Sequence, residues 1–331
     1  MAAVDADADI HFHGVELRLR SDEPALLDVL RARFAALPLR VRGGAGAVLN
    51  FELHARDGKQ QSPAPDAGMR SVYESENGDA WYDDGGDRLL VRYTGAGYAV
   101  CLPRERRVLL SVDRSATNAA WIATRPLFTL TLAELLKREG MFFLHAAGVT
   151  TDAGGILLPG SSGSGKSTLA VALARAGFGF LGDDTVFLRR ENGDLSVLPF
   201  PDQIDLSETS LDLLGSLSPR TIRLPGSPKW QFDPVHAGCA VIGEGVQPQA
   251  LIFPFLGGTK ARLEVLSGDD ALLHLAPNLL MTERGATQRH LDVLADLVAA
   301  MPSYRLELGT DLTAAVAAVE QVAANEKRQD G

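Results

Sequence analysis

Cysteine is nearly absent from this chain of 331 residues, which has only Cys101 and Cys239. Two cysteines are too few and too far apart to suggest a disulfide framework or a zinc site. Each thiol is expected to pack as a small hydrophobe. Lysine is also scarce, confined to Lys59, Lys137, Lys166, Lys229, Lys260 and Lys327, so each lysine of the second half is weighed individually. Basic charge is missing from the start of the chain, where Asp5, Asp7 and Asp9 stand instead, and no apolar run approaches membrane-spanning length. A signal peptide and a transmembrane helix are therefore not expected, and the chain reads as soluble and cytoplasmic. The net charge of -10 argues against a general nucleic-acid surface or an anionic-membrane surface. No internal repeat is found.

With 46% hydrophobic and 22% charged residues the composition is globular, and the length suits about two domains. The most informative stretch is GSSGSGKST: Gly160, Ser161, Ser162, Gly163, Ser164, Gly165, Lys166, Ser167 and Thr168. This is a complete phosphate-binding loop. Its glycines let successive backbone N–H groups face a di- or triphosphate, Lys166 reaches the β/γ-phosphates, and Ser167 is placed to ligate Mg²⁺. The context fits, because Gly155 to Pro159 is a buried-strand run and Ser167 to Ala176 has helical spacing with Gly177 as its cap. A Ser/Gly-rich surface turn is the plain alternative. ATP and Mg²⁺ are the cofactors this loop implies.

Residues 1–125 read as a mainly antiparallel β domain. Strand-like alternation covers 10–20, Val48 to Leu53, Arg88 to Thr94, Tyr98 to Leu102 and Arg107 to Val112. One helix presents Leu26, Leu27, Leu30 and Phe34, and turns are marked by Gly43-Gly44, Asn77-Gly78 and Gly85-Gly86. Nothing in this region looks catalytic; Trp81, Tyr82 and Tyr93 are expected as core or cross-strand pairs. A helix from Leu127 to Glu139 opens a second, α/β domain over 126–324, followed by a flexible tail, 325–331. That domain contains strands at Leu251 to Phe255, Ala261 to Leu266 and Tyr304 to Leu308 and ends with a helix, Leu312 to Ala323.

Gly182-Asp183-Asp184 follows closely, Asp183 standing 17 residues after Lys166. One helix, its cap and the short strand Phe178 to Leu181 fill that interval. A right-handed crossover lays this strand parallel to the first, so both end at one edge of the sheet. Two carboxylates there have separate uses: one holds Mg²⁺ and the other accepts a proton from an attacking hydroxyl. A solvated acidic turn is the bland alternative. His145, in the apolar run Phe142 to Ala147, is either a buried hydrogen-bonded histidine or a group reaching the phosphate site.

The stretch Leu144 to Ala147 with GILLPGSSGSGKSTLAVALARAGFGFLGDD resembles the C-terminal kinase domain of HPr kinase/phosphorylase, whose fold is shared with PEP carboxykinase. It is most similar to the HPr-kinase-related serine kinases, among them lasso-peptide kinases and relatives associated with PEP-CTERM sorting. The resemblance covers roughly residues 140–320. It implies ATP binding by Gly160 to Thr168, Mg²⁺ at Ser167 and Asp184, Asp183 as general base, and His145 near the phosphates. Lys229 aligns loosely with a phosphate-clamping lysine; a solvated loop lysine is the alternative. The glycine-containing signature of authentic HPr kinases is missing downstream of the acidic pair, and the first 125 residues do not match their N-terminal domain. Both departures argue against HPr as acceptor. Authentic HPr kinases assemble, but no motif here carries over homo-oligomer formation.

The implied activity is phosphorylation of a serine-type hydroxyl on a peptide or protein. Two other readings stay open at this level: a nucleotide-binding switch without acceptor chemistry, and a carboxykinase-like transfer to a small organic acid.

Overall fold

The computed structural model describes residues 6–37, 46–58, 62–85, 87–200, 202–215, 217, 222–223, 229–280 and 282–326, without the side chains of 222, 223 and 284. The Gly43-Gly44 turn, Gly86 and residues 327–331 of the tail lie outside them. The chain divides into two compact units, Met1–Met141 with Met281–Gln288, and Phe142–Leu280 with Arg289–Gly331.

The first unit carries an eight-stranded sheet. Its elements are β1 (Ala6–Phe12), β2 (Val15–Ser21), α1 (Pro24–Phe34), β3 (Val48–Arg56), β4 (Arg70–Ser75), β5 (Gly78–Asp83), β6 (Arg88–Tyr93), β7 (Gly97–Leu102), β8 (Arg107–Asp113), α2 (Ala119–Ile122) and α3 (Phe128–Leu136). The spatial order is β1-β2-β3-β8-β7-β6-β5-β4. β3 pairs parallel with β2 and with β8, and the other neighbours are antiparallel. The alternation read over 10–20 is in fact two strands. The step from Phe12 to Val15 breaks the period of two because His13 (φ 44°) and Gly14 (φ 100°) form a two-residue hairpin turn.

Helix α1 buries Leu26, Leu27, Leu30 and Phe34, the face expected from their spacing. Helix α3, assigned by sequence to the second domain, belongs to the first. Phe128 is fully buried, with its ring 4.7 Å from that of Phe51 and 6.0 Å from that of Phe34. That packing moves the division from 125/126 to 141/142, and the short return Met281–Gln288 joins the same unit. Thr282 and Glu283 from this return bond to Glu134 and Arg138 of the first unit. No local pattern could announce a contact between residues so far apart in sequence.

The second unit is mixed α/β. In chain order its elements are β9 (Met141–Leu144, in this unit from Phe142), β10 (Ala146–Thr151), β11 (Gly154–Pro159), α4 (Lys166–Arg175), β12 (Gly179–Gly182), β13 (Val186–Glu191), β14 (Asp194–Pro199), β15 (Ile204–Leu206), α5 (Glu208–Leu214), β16 (Ile222–Arg223), β17 (Trp230–Phe232), β18 (Ala240–Val241), β19 (Pro248–Leu256), β20 (Arg262–Leu266), α6 (Gly268–Leu275), α7 (Arg284–Ala300, in this unit from Arg289), β21 (Ser303–Leu308) and α8 (Leu312–Glu326). The main sheet runs β18-β12-β10-β11-β19-β21-β20, beside two small three-stranded sheets, β14-β13-β9 and β15-β17-β16. Strands β11, β19 and β21 pair parallel. Their alternate residues feed two cores, which is why they read as continuous apolar runs. Ile156, Ala250, Ile252 and Leu306 pack with Leu169 of α4 and Val319 of α8. Leu157, Leu251 and Phe253 pack with Leu275 of α6 and Leu297 of α7.

β12 runs in the same direction as β11, as the crossover argument requires, but the two are not neighbours. β10 lies between them, antiparallel to both. The apolar run 142–147 is likewise not one strand, since it breaks at His145 and its halves join different sheets. Helix α8 reaches Glu326, two residues into the expected tail.

Candidate active site

β11 ends at Pro159 and α4 begins at Lys166, so Gly160 to Gly165 bridge the carboxyl edge of the sheet. Gly163 (φ 83°) and Gly165 (φ 97°) take left-handed backbone that only glycine adopts freely. A Cβ on Gly165 would also stand 2.4 Å from Leu308 Cδ1. The Ser164 N–H donates to the Ser161 carbonyl at 3.2 Å, closing the turn. No side chain caps α4, so its first N–H groups and its positive dipole end are left for an anion. Ser161 and Ser162 are exposed, and Ser164 is half-buried. The Thr168 hydroxyl instead donates to Ser210 Oγ at 2.8 Å, tying α4 to α5.

Lys166 is buried at the centre of this edge. Its ammonium is 3.3 Å from His145 Nε2, 3.4 Å from the Ser161 carbonyl and 3.7 Å from Asp184 Oδ1. Burial pulls its pKa below the ordinary lysine value, and the charges of Asp184 and Asp183 oppose that. His145 Nδ1 lies 2.8 Å from the Asp184 carbonyl oxygen. A carbonyl only accepts, so the ring proton is assigned to Nδ1 and Nε2 is left to accept from Lys166. Burial first, then the Lys166 charge, pushes the imidazole pKa below its usual value, which keeps the ring neutral.

Asp183 follows the end of β12. A Cβ on Gly182 would stand 2.7 Å from the Thr185 carbonyl oxygen and 3.0 Å from that of Phe200, so a larger residue would disturb the tight turn leading into Asp183. The Asp183 carboxyl is 1% exposed. Its Oδ2 accepts the Asp205 N–H at 3.2 Å, whereas Oδ1 is buried with no hydrogen-bond partner among the described residues. Burial, reinforced by the charge of Asp184, pushes its pKa up to about 8. The Ser167 side chain, the Asp205 N–H and Lys166 restrain the rise. Asp184 is about half exposed and borders the same space.

The structure thus brings together the loop, Lys166, His145, Asp183 and Asp184. Lys229 is half-buried just before β17 and lies within electrostatic range, since its charge lowers the pKa values of both His145 and Lys166. Two contributors were missed as site residues. The Gln231 side chain donates to Asp205 Oδ1 at 3.1 Å, and the Asp205 backbone in turn holds Asp183. The available signal was a lone amide between two aromatic residues in Trp230-Gln231-Phe232, where alternation points it the opposite way.

Among the described residues no three His, Cys, Asp or Glu side chains assemble as a metal site. The oxygen donors at the loop for a cation are the Ser167 hydroxyl and the Asp184 carboxylate, with the buried Asp183 carboxyl beside them. These hard oxygens are too few for an all-protein cage, a set that suits Mg²⁺ held jointly with phosphate oxygens. The Asp183 Oδ1 atom, without a hydrogen-bond partner among the described residues, is a further acceptor.

No family model matches the chain, and no curated protein matches it. Among solved structures it is similar to the HPr(Ser) kinase/phosphatase from Coxiella burnetii, at 16% identity and a TM-score of 0.30, over 57% of this chain and 99% of that one. No helix among the described residues is long and apolar enough to cross a membrane.

Proposed function

We propose that the second unit is an ATP- and Mg²⁺-dependent phosphotransferase that phosphorylates a serine-type hydroxyl of a peptide or protein. The observation that carries this reading is the buried Asp183 carboxyl, one oxygen held by the Asp205 N–H and the other without a partner, beside a glycine-rich loop and its lysine. A buried carboxyl with one oxygen left unbonded is costly to keep ionised. It is useful where a hydroxyl proton must be taken, because a base titrating near neutral pH combines availability with driving force.

In this reading the loop N–H groups, the start of α4 and Lys166 bind the phosphates. Ser167 and Asp184 would hold Mg²⁺, which when bound neutralises charge on the transferring group. Asp183 Oδ1 accepts the proton of the attacking hydroxyl. Neutral His145 accepts from the Lys166 ammonium and orients it, and Lys229 adds a second cation. A switch without acceptor chemistry has no use for such a buried carboxyl, and the additional basic and metal-binding groups wanted for a small organic acid are not found among the described residues of the site. The departures from authentic HPr kinases argue for an acceptor other than HPr. Incubation with γ-labelled ATP and an extract of the protein's own cells tests the reading, with labelled phosphoserine as the expected product.

A further inference from the structure

Leu256 ends β19 at the carboxyl edge of the main sheet and is 67% exposed. It belongs to an apolar stripe whose earlier members, Ala250 and Ile252, are fully buried under α4 and α8. The stripe runs out of the core where α4 begins, and Leu256 is its uncovered continuation. That end lies against the phosphate loop: a Cβ on Gly165 would be 3.4 Å from Leu256 Cδ2, just beyond Leu308 Cδ1 at 2.4 Å. The turn after Leu256 lies close against Gly309, where an added Cβ would meet the Thr259 carbonyl oxygen at 2.7 Å. An exposed leucine thus borders the loop.

The order of strands separates two flanks of that loop. His145, Asp183 and Asp184 stand at β10 and β12, on one side of β11, whereas Leu256 and Leu308 stand at β19 and β21, on the other. A nucleotide stretched across the loop with its terminal phosphate directed at Asp183 has its base on the side of β19 and β21. Resting on the phosphotransferase reading, we propose that Leu256 is the apolar platform for the base of a purine nucleoside triphosphate, with Leu308 supporting it from beneath. The flat ring covers the leucine that the protein leaves open, as expected of a ligand bound at the carboxyl ends of parallel strands.

Calorimetric titration of the full chain with MgATP, and separately with magnesium tripolyphosphate, reads the base and the phosphates independently. Leu256→Ala is expected to weaken ATP binding about tenfold through lost apolar contact. Leu256→Asp should weaken it further, while tripolyphosphate affinity in the alanine variant stays within about twofold of wild type. Unchanged ATP affinity in both variants overturns the proposal. An equal loss for both ligands in Leu256→Ala also overturns it, because the residue would then be supporting the loop. A wild-type chain that binds neither ligand overturns the phosphotransferase reading and this site with it.

Discussion

His145 Nδ1 lies 2.8 Å from the carbonyl oxygen of Asp184, and the opposite ring nitrogen faces the Lys166 ammonium at 3.3 Å. One neutral ring thereby couples the strand break before the loop to the acidic pair after it. His145→Ala is expected to lower the turnover number by up to about 100-fold, the scale of a misplaced catalytic group, with a smaller change in ATP affinity. Steady-state kinetics beside equilibrium ATP binding separate the two. An equal loss in both would make His145 a binding residue only.

Asp183 makes stability depend on pH with a definite sign. Its pKa is raised from 3.8 to about 8, so between those values the folded chain keeps a proton that the unfolded chain has released. Stability therefore falls as pH rises across that window, and the loss is complete above it. Asparagine does not titrate. Asp183→Asn should gain on the wild type by up to about 1.4 kcal/mol per pH unit across the window. Denaturant unfolding at several pH values from acid to mildly alkaline reads this directly, and a gap that shrinks as pH rises would contradict the assignment.

Gly165 and Gly177 share a left-handed backbone, with φ of 97° and 106°, but differ in surroundings. Nothing lies within 4 Å of a Cβ at Gly177, whereas at Gly165 Leu308 blocks it at 2.4 Å. Gly177→Ala should cost only the conformational term, roughly 1–2 kcal/mol. Gly165→Ala should cost more and abolish phosphate binding. Unfolding midpoints and ATP titration of the pair test the difference.

In the first unit the fully buried Glu134 carboxylate pairs with the Lys137 ammonium at 3.0 Å and accepts from the Thr282 hydroxyl. Lys137→Met strands a buried charge and should cost about 3–5 kcal/mol. Adding Glu134→Leu should recover most of that loss, because a matched apolar pair carries no desolvation penalty. Equal destabilisation in the single and double variants would show that the packing, rather than the unpaired charge, carries the cost.

The legible parts were those fixed by local chemistry. The glycine-rich loop, the helix behind it, the apolar face of α1 and the run leading to Asp183 each announce themselves through spacing or backbone demands. The less legible parts were set by distant partners. Strand β10 separates β11 from β12 although no residue between Lys166 and Asp183 reports it. Phe128 is drawn to the first unit by Phe34 and Phe51, so a helix that reads as the start of one domain completes the other. Gln231 reaches the site only through Asp205, a contact formed by two short strands that carry little periodic signal of their own.

Phosphoryl transfer itself is the central claim, and Asp183→Asn tests it most directly. The wild-type chain, given γ-labelled ATP, Mg²⁺ and an extract of its own cells, is expected to yield labelled phosphoserine. The asparagine variant should bind ATP with unchanged affinity and yield none. Transfer at the wild-type rate by the variant, or no labelled serine from the wild type, would contradict the account.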